Sequence, residues 1–236
     1  RDPSKVGSIP ELDGASGVRG DVTDPASLAG TLDGAGAVVG CVQFPNHPVE
    51  VPRKDLTYDV YDRQGTENLI AAARAAGVGR YLYLSGAGAD LTSDKTWYRA
   101  KGFAERALID SGIEYAIIRP SWAYGPEDRA LNRFASIARF SPVIPQLGVR
   151  AQEVQPVHCD DIALAITVVA VVPTKEEAVA EVCGPGGRYE LTDLPTGAAT
   201  VRALPVSVRL RGRLPDHLAI TPDEPVPRKS QAVRRK

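Results

Sequence analysis

The chain has 236 residues, 43% of them hydrophobic, which is enough to bury a sizeable core and suits one large α/β domain better than two small ones. Its formal net charge of -1, from 28 Lys+Arg against 29 Asp+Glu, excludes a global attraction to nucleic acid or to an anionic membrane surface. Cys41, Cys159 and Cys183 are widely spaced and lack a CxxC pattern, so neither a disulfide framework nor a metal site is suggested, and a reducing cytoplasm is the expected compartment.

Taken in chain order, the apolar pattern alternates between short β-like runs and helix-like periods. A first strand is expected at 17–19. Asp24, a good N-cap, precedes Pro25 and predicts a helix over 25–32. The glycine-rich GAGAVVG at 34–40 leads into a strand, 37–42, instead of from a strand into a helix, so it reads as a helix-to-strand turn and offers a pyrophosphate no helix N-terminus. Leu69, Ile70, Ala72 and Ala73 give a helix over 59–76, closed at Gly77. Strand 81–85 runs into SGAGAD at 85–90, a loop at a strand's C-terminal edge. Ala100, Phe103, Ala104, Ala107 and Leu108 form one stripe of a helix over 99–111 that stops at Gly112. A strand at 115–119, a helix over 160–172 stopped by Pro173, and a strand at 179–183 follow.

This alternation predicts a parallel sheet with crossover helices over residues 1–190. The apolar run 162–172 falls short of the roughly 20 residues a membrane helix needs, and no basic-then-apolar signal opens the chain. A soluble protein is expected. The chain lacks methionine and begins at Arg1 in what reads as a strand-to-helix turn, so a preceding segment is expected. From about residue 191 periodicity fades, prolines recur, and the chain ends RKSQAVRRK. An irregular, solvated tail over 191–236 is expected, with an acidic-partner or nucleic-acid tail, or a frame error, as alternatives.

RDPSK at 1–5, GDVTDPASL at 20–28, GAGAVVG at 34–40, QGTENLIAAARAAGVGRYLYLSGAGA at 64–89, WYRAKGFAE at 97–105, IIRPSWAYGPED at 117–128 and QPVHCDDIALAI at 155–166 together resemble the extended and atypical short-chain dehydrogenase/reductases. The resemblance is to the NmrA-like and complex I accessory-subunit-like branch, related to nucleotide-sugar epimerases and dehydratases, and covers about residues 1–190. It implies a doubly wound, Rossmann-type α/β fold with NAD(P) across the C-terminal edge of the sheet, here lacking its first strand and glycine-rich turn, and with a substrate region that includes residues 123–154.

Residue by residue, the resemblance places Arg1 near an adenosine 2′-phosphate, which favours NADP slightly over NAD; a solvated turn arginine is the other reading. Asp21 and Val22 match an acidic-then-apolar pair that holds the adenine, although Asp21 also reads as a turn or N-cap aspartate. Lys101 matches the helix lysine that bonds the nicotinamide ribose and lowers the pKa of a neighbouring tyrosine. Pro120 and Ser121 match the turn lining the nicotinamide end. Ser85 is either a donor to a substrate oxygen or bonded to backbone, and His158 is expected to be structural.

Three departures stand out. Trp97 occupies the place four before the lysine where active members carry tyrosine, and its indole can donate a hydrogen bond but not a useful proton. Tyr98 stands one residue on, and could serve as acid or base after a local rewinding of the helix. The hydroxyl-rich loop is reduced to Ser85, and Asp62 stands where many relatives carry asparagine. The expectation is therefore an NAD(P)-binding oxidoreductase-like protein with a degenerate active site, moving a hydride at a carbonyl or carbinol through Tyr98, Lys101 and Ser85. The alternative is a non-catalytic NAD(P)H-binding sensor or assembly subunit. Further expected partners are an unknown small-molecule substrate and a second copy of the chain.

Overall fold

The computed structural model describes residues 3–8, 14–126, 128 and 156–171, and the strand backbones at 178–182, 191–192, 198–203 and 206–211. Arg1, Cys183, residues 129–155 of the expected substrate side and residues 212–236 lie outside the described residues.

Four strands supply the parallel part of the sheet: β1 (Ala37–Gly40), β2 (Arg80–Leu84), β3 (Glu114–Pro120) and, after a minor pair, β6 (Ala178–Val182). The minor pair is β4 (Ala123–Tyr124) and β5 (Val157–His158), parallel to each other. β7 (Leu191–Thr192) adds to β6 in the antiparallel sense, and the sheet order is β1-β2-β3-β6-β7. Register places Val38 beside Tyr81, Leu82 beside Ala116 and Ile118 beside Ala180.

Helices cover both faces, because residues of alternating parity on a strand point to opposite sides. Tyr81, Tyr83, Tyr115 and Ile117 pack with Ile70 and Ala73 of α1 (Gly65–Ala75) and with Ala104 and Leu108 of α2 (Thr96–Ile109). Leu82 and Ala116 face the other way and meet Val169 of α3 (Cys159–Val171). That arrangement is the doubly wound α/β architecture expected from the sequence.

Several elements differ from expectation. Residues 17–19 form no ladder; Gly17 runs so close to Pro3 that a Cβ there would lie 2.6 Å from the Pro3 carbonyl oxygen. The helix over 25–32 is a single 3-10 turn, Pro25–Leu28, because Ala29 leaves helical geometry and Gly30 follows at φ 73°. The helix over 59–76 has two windings, a π turn at Asp59–Gln64 followed by α1. α2 starts at Thr96, after the extended Lys95, so Trp97 and Tyr98 belong to its first turn. Within the stretch expected to be irregular, β8 (Ala198–Ala203) and β9 (Val206–Arg211) pair as an antiparallel hairpin. Val206, Val208 and Leu210 alternate with polar residues there, a period-two signal that the surrounding prolines obscure.

Candidate functional site

Of the residues singled out by sequence, Ser85, Trp97, Tyr98, Lys101 and Pro120 meet where the C-terminal ends of β1, β2 and β3 face α2. Trp97, Lys101 and Glu105 recur every four residues, and that spacing puts them on one face of the helix. Lys101 and Glu105 are each buried, an arrangement charged side chains accept only with partners.

The partner of Lys101 is Asp62, carried by the π turn. Nζ lies 3.0 Å from Asp62 Oδ1, and the two side chains are 4% and 0% exposed. The ammonium also donates to the carbonyls of Val42 at 3.1 Å and Leu84 at 3.5 Å, just beyond β1 and at the end of β2, and it lies 5.3 Å from the Tyr83 ring centroid. Asp62 Oδ2 accepts the Phe44 N-H at 2.9 Å. Burial pushes the Asp62 carboxyl above its ordinary pKa, against the opposing pull of the Lys101 ammonium and the Phe44 N-H. The lysine singled out by sequence is thus an interior, paired group, and Asp62 is its counter-charge.

Ser85 is buried, and its hydroxyl donates to Glu105 Oε1 at 2.5 Å. Glu105 in turn takes a two-pronged contact from Arg119, whose Nε lies 2.8 Å from Oε1 and Nη2 2.6 Å from Oε2. This fork ties the ends of β2 and β3 to α2, and it gives the Ser85 hydroxyl a carboxylate acceptor. Glu105 escaped the sequence reading. The available signal was its place one turn after Lys101, between the buried Ala104 and Leu108.

Trp97 and Tyr98 lie against the loop after β2. The Trp97 ring stacks over Gly86, where a Cβ would come within 2.4 Å of it, and it joins a cluster with Phe44, Tyr58 and Ala100. Its indole N-H is buried without a partner among the described residues. The Tyr98 ring instead covers Gly88, 3.0 Å from a Cβ placed there, with the Lys95 ammonium 5.3 Å from its centroid. No hydrogen bond joins Tyr98 to Lys101 among the described residues. The two aromatic rings meet edge to face at 5.0 Å.

Asp21 and Val22 lie on a separate segment, just before the 3-10 turn at Pro25–Leu28. Asp21 Oδ1 accepts the Thr23 N-H at 3.0 Å and the Thr23 hydroxyl at 2.8 Å, the geometry of a turn aspartate. Val22 packs on Gly65, and its carbonyl accepts Asn68 Nδ2 at 2.8 Å. Pro120 is buried and its carbonyl accepts the Ala87 N-H at 2.8 Å, which draws the loops after β2 and β3 together. Ser121 follows at intermediate burial. His158, read as structural, accepts the Asp160 N-H at 3.3 Å as α3 begins. Beside the site, Tyr58 and His47 Nδ1 share a hydrogen bond of 2.7 Å, a pair that sequence spacing does not reveal.

The chain is similar to proteins already known. A family model described as NAD(P)H-binding matches residues 1–136. The mitochondrial NADH dehydrogenase (ubiquinone) 1 alpha subcomplex subunit 9 of Arabidopsis thaliana is 28% identical over 147 residues, 62% of this chain and 35% of that protein. The 2-alkyl-3-oxoalkanoate reductase of Stenotrophomonas maltophilia is 30% identical over 183 residues, 66% of this chain and 53% of that protein. The chain therefore spans about a third of the first relative and about half of the second. Among solved structures, MoeE5 in complex with UDP-glucuronic acid and NAD superimposes with a TM-score of 0.61 at 22% identity, over 74% of this chain and 64% of that one. The dTDP-glucose 4,6-dehydratase DesIV double mutant of Streptomyces venezuelae, with NAD and DAU bound, superimposes with a TM-score of 0.57 at 23% identity, over 72% and 58% of the respective chains. At such identities the structural likeness establishes the fold.

Proposed function

The chain belongs to the NAD(P)H-binding family, and from that premise we propose that it holds a nicotinamide dinucleotide at the C-terminal edge of its sheet without hydride turnover of its own, as a sensor or assembly subunit would. One observation carries the second half: the groups that would polarise or protonate a substrate oxygen are engaged elsewhere. Ser85 gives its hydrogen to Glu105, and the Lys101 ammonium is ion-paired with Asp62 and donates to the carbonyls of Val42 and Leu84. Trp97, in the place of the proton donor, has no proton of useful pKa to give.

The residues fit a cofactor at this edge. Parallel strands end there, the site at which open α/β sheets take ligands, and the Trp97 N-H is a buried donor with no partner among the described residues, a cost of about 1–3 kcal/mol that an acceptor atom would remove. Lys101 would hold the ribose, Asp21 and Val22 the adenine, and Pro120 and Ser121 the nicotinamide end. The dinucleotide, when bound, would carry the chemistry of hydride transfer, while the chain's own residues would supply position and field. The relative from Arabidopsis, named as a subunit, is in keeping with this reading.

The second reading is an oxidoreductase acting on a carbonyl or carbinol, with Tyr98 as acid or base. Tyr98 favours it by standing on the first turn of α2, three residues before Lys101, and the Stenotrophomonas relative is named a reductase. NADP over NAD, through Arg1, belongs to the proposal. So does a homodimer through the outer faces of α1 and α2, supported by a groove lined by Glu67, Ile70, Arg74, Ala107 and Asp110. A cytoplasmic setting is part of the same proposal. Among the described residues, no helix is long and apolar enough to cross a membrane.

Fluorescence titration with NADPH and NADH, followed by assay of nicotinamide oxidation against aldehydes, β-keto acids and nucleotide sugars, tests the proposal. Saturable binding, tighter for NADPH, with no oxidation is the expected result. Sustained oxidation that Tyr98→Phe abolishes would establish the second reading instead, and failure to saturate with either nucleotide would overturn both.

A further inference from the structure

An ammonium carries three hydrogens, and three protein acceptors face that of Lys101. Two are neutral carbonyls, Val42 at 3.1 Å and Leu84 at 3.5 Å, and the third is the carboxylate of Asp62 at 3.0 Å. The carboxylate is itself fixed: its other oxygen holds the Phe44 N-H, and the side chain is fully buried on the π turn. A ribose hydroxyl that reaches Lys101 competes with these three neighbours for the ammonium. The Asp62 contact is the only one of the three with an opposite charge, a buried ion pair, and giving it up would leave Asp62 charged, buried and unmatched.

We propose that Asp62 is a positioning residue that competes with the nicotinamide dinucleotide for the Lys101 ammonium, so that the chain binds the cofactor more weakly than its fold allows until the pair opens. The inference rests on the reading that the chain binds NAD(P)H. Where only an open fraction of the protein can engage the ligand, the apparent dissociation constant is the intrinsic one divided by that fraction. Asparagine at 62 keeps the size and one acceptor oxygen but removes the charge, which enlarges the open fraction.

The test is an NADPH fluorescence titration of the full chain, of Asp62→Asn and of the double variant Asp62→Asn/Lys101→Met, with circular dichroism on each. Expected is a gain of about tenfold in affinity for Asp62→Asn, absent from the double variant, which should bind NADPH as the unaltered chain does. A variant Asp62→Asn that folds and binds equally or more weakly overturns the proposal. Should Asp62→Asn fail to fold, the double variant, free of buried charge at the pair, still decides. Binding about tenfold weaker than the unaltered chain would show that Lys101 already serves the cofactor, and equal binding would uphold the competition. If none of the three proteins binds NADPH, the NAD(P)H-binding reading itself fails and the inference falls with it, whereas a negative result confined to the variants overturns the inference alone.

Discussion

Lys101 and Glu105 stand one helical turn apart with opposite charges, and each is satisfied by a different element: Lys101 by the π turn and Glu105 by β3. Removing one member of such a buried pair costs about 3–5 kcal/mol, because the other is left uncompensated. Tyr58, beside them, yields a pH prediction. Burial first, then the nearby Asp62 and Glu50 carboxylates, push its phenol from 10.0 up to about 12. Between these two values the unfolded chain has released its proton and the folded chain has not, so unfolding releases a proton and stability falls as pH rises. Below pH 10 this contribution is fully present. Tyr81 and Tyr83 are raised in the same direction by their own burial. Denaturant unfolding across this alkaline range should therefore show a falling stability whose slope Tyr58→Phe reduces by one proton.

At the scale of elements, α2 positions the site because it approaches the loop after β2 without a side chain between them. A Cβ on Gly102 would lie 2.7 Å from the Asp90 carbonyl carbon and 2.8 Å from the Leu91 nitrogen, both backbone atoms that cannot swing aside. Gly102→Ala should therefore destabilise the protein by about 1–3 kcal/mol in thermal unfolding, although alanine favours an isolated helix. Gly36→Ala, with nothing within 4 Å of its added carbon, serves as the comparison and should stay within about 0.5 kcal/mol. The same elements mark where local pattern is sufficient. The continuous apolar runs of β2 and β3 and the buried Ala100, Ala104 and Leu108 of α2 made these elements legible within a few residues, although Phe103 of the expected α2 stripe is exposed. The π winding at 59–64 has no such signature. It arises where Asp62 is drawn into the interior toward Lys101, a contact between residues 39 positions apart.

Across the whole molecule, β2 and β3 are paired on both sides, whereas β1 has a ladder partner on one side only among the described residues. Amide hydrogen exchange should be slowest at Leu82 and Ile117, which combine two-sided pairing with full burial, and faster at Val39, which is 47% exposed on the edge strand. Uniform protection across β1, β2 and β3 would show that the sheet opens as one unit instead. The ends of β2 and β3, which carry the Leu84 carbonyl, Ser85 and Arg119, belong to this protected centre and give that side of the site a rigid floor.

The amino-acid sequence by itself determined the α/β class, the order of the principal strands and helices, and the membership of Lys101, Ser85, Trp97 and Tyr98 in one neighbourhood. Hydrophobic period and motif order are local properties, and they survive without knowledge of contacts. Only the tertiary structure decided what those residues do to one another: that Lys101 is matched by Asp62, that Ser85 yields its hydrogen to Glu105, and that Tyr98 turns onto Gly88 while Trp97 covers Gly86. Hydrogen-bond donors have a fixed number of hydrogens, and which acceptor takes each one depends on distances between segments that sequence spacing does not encode.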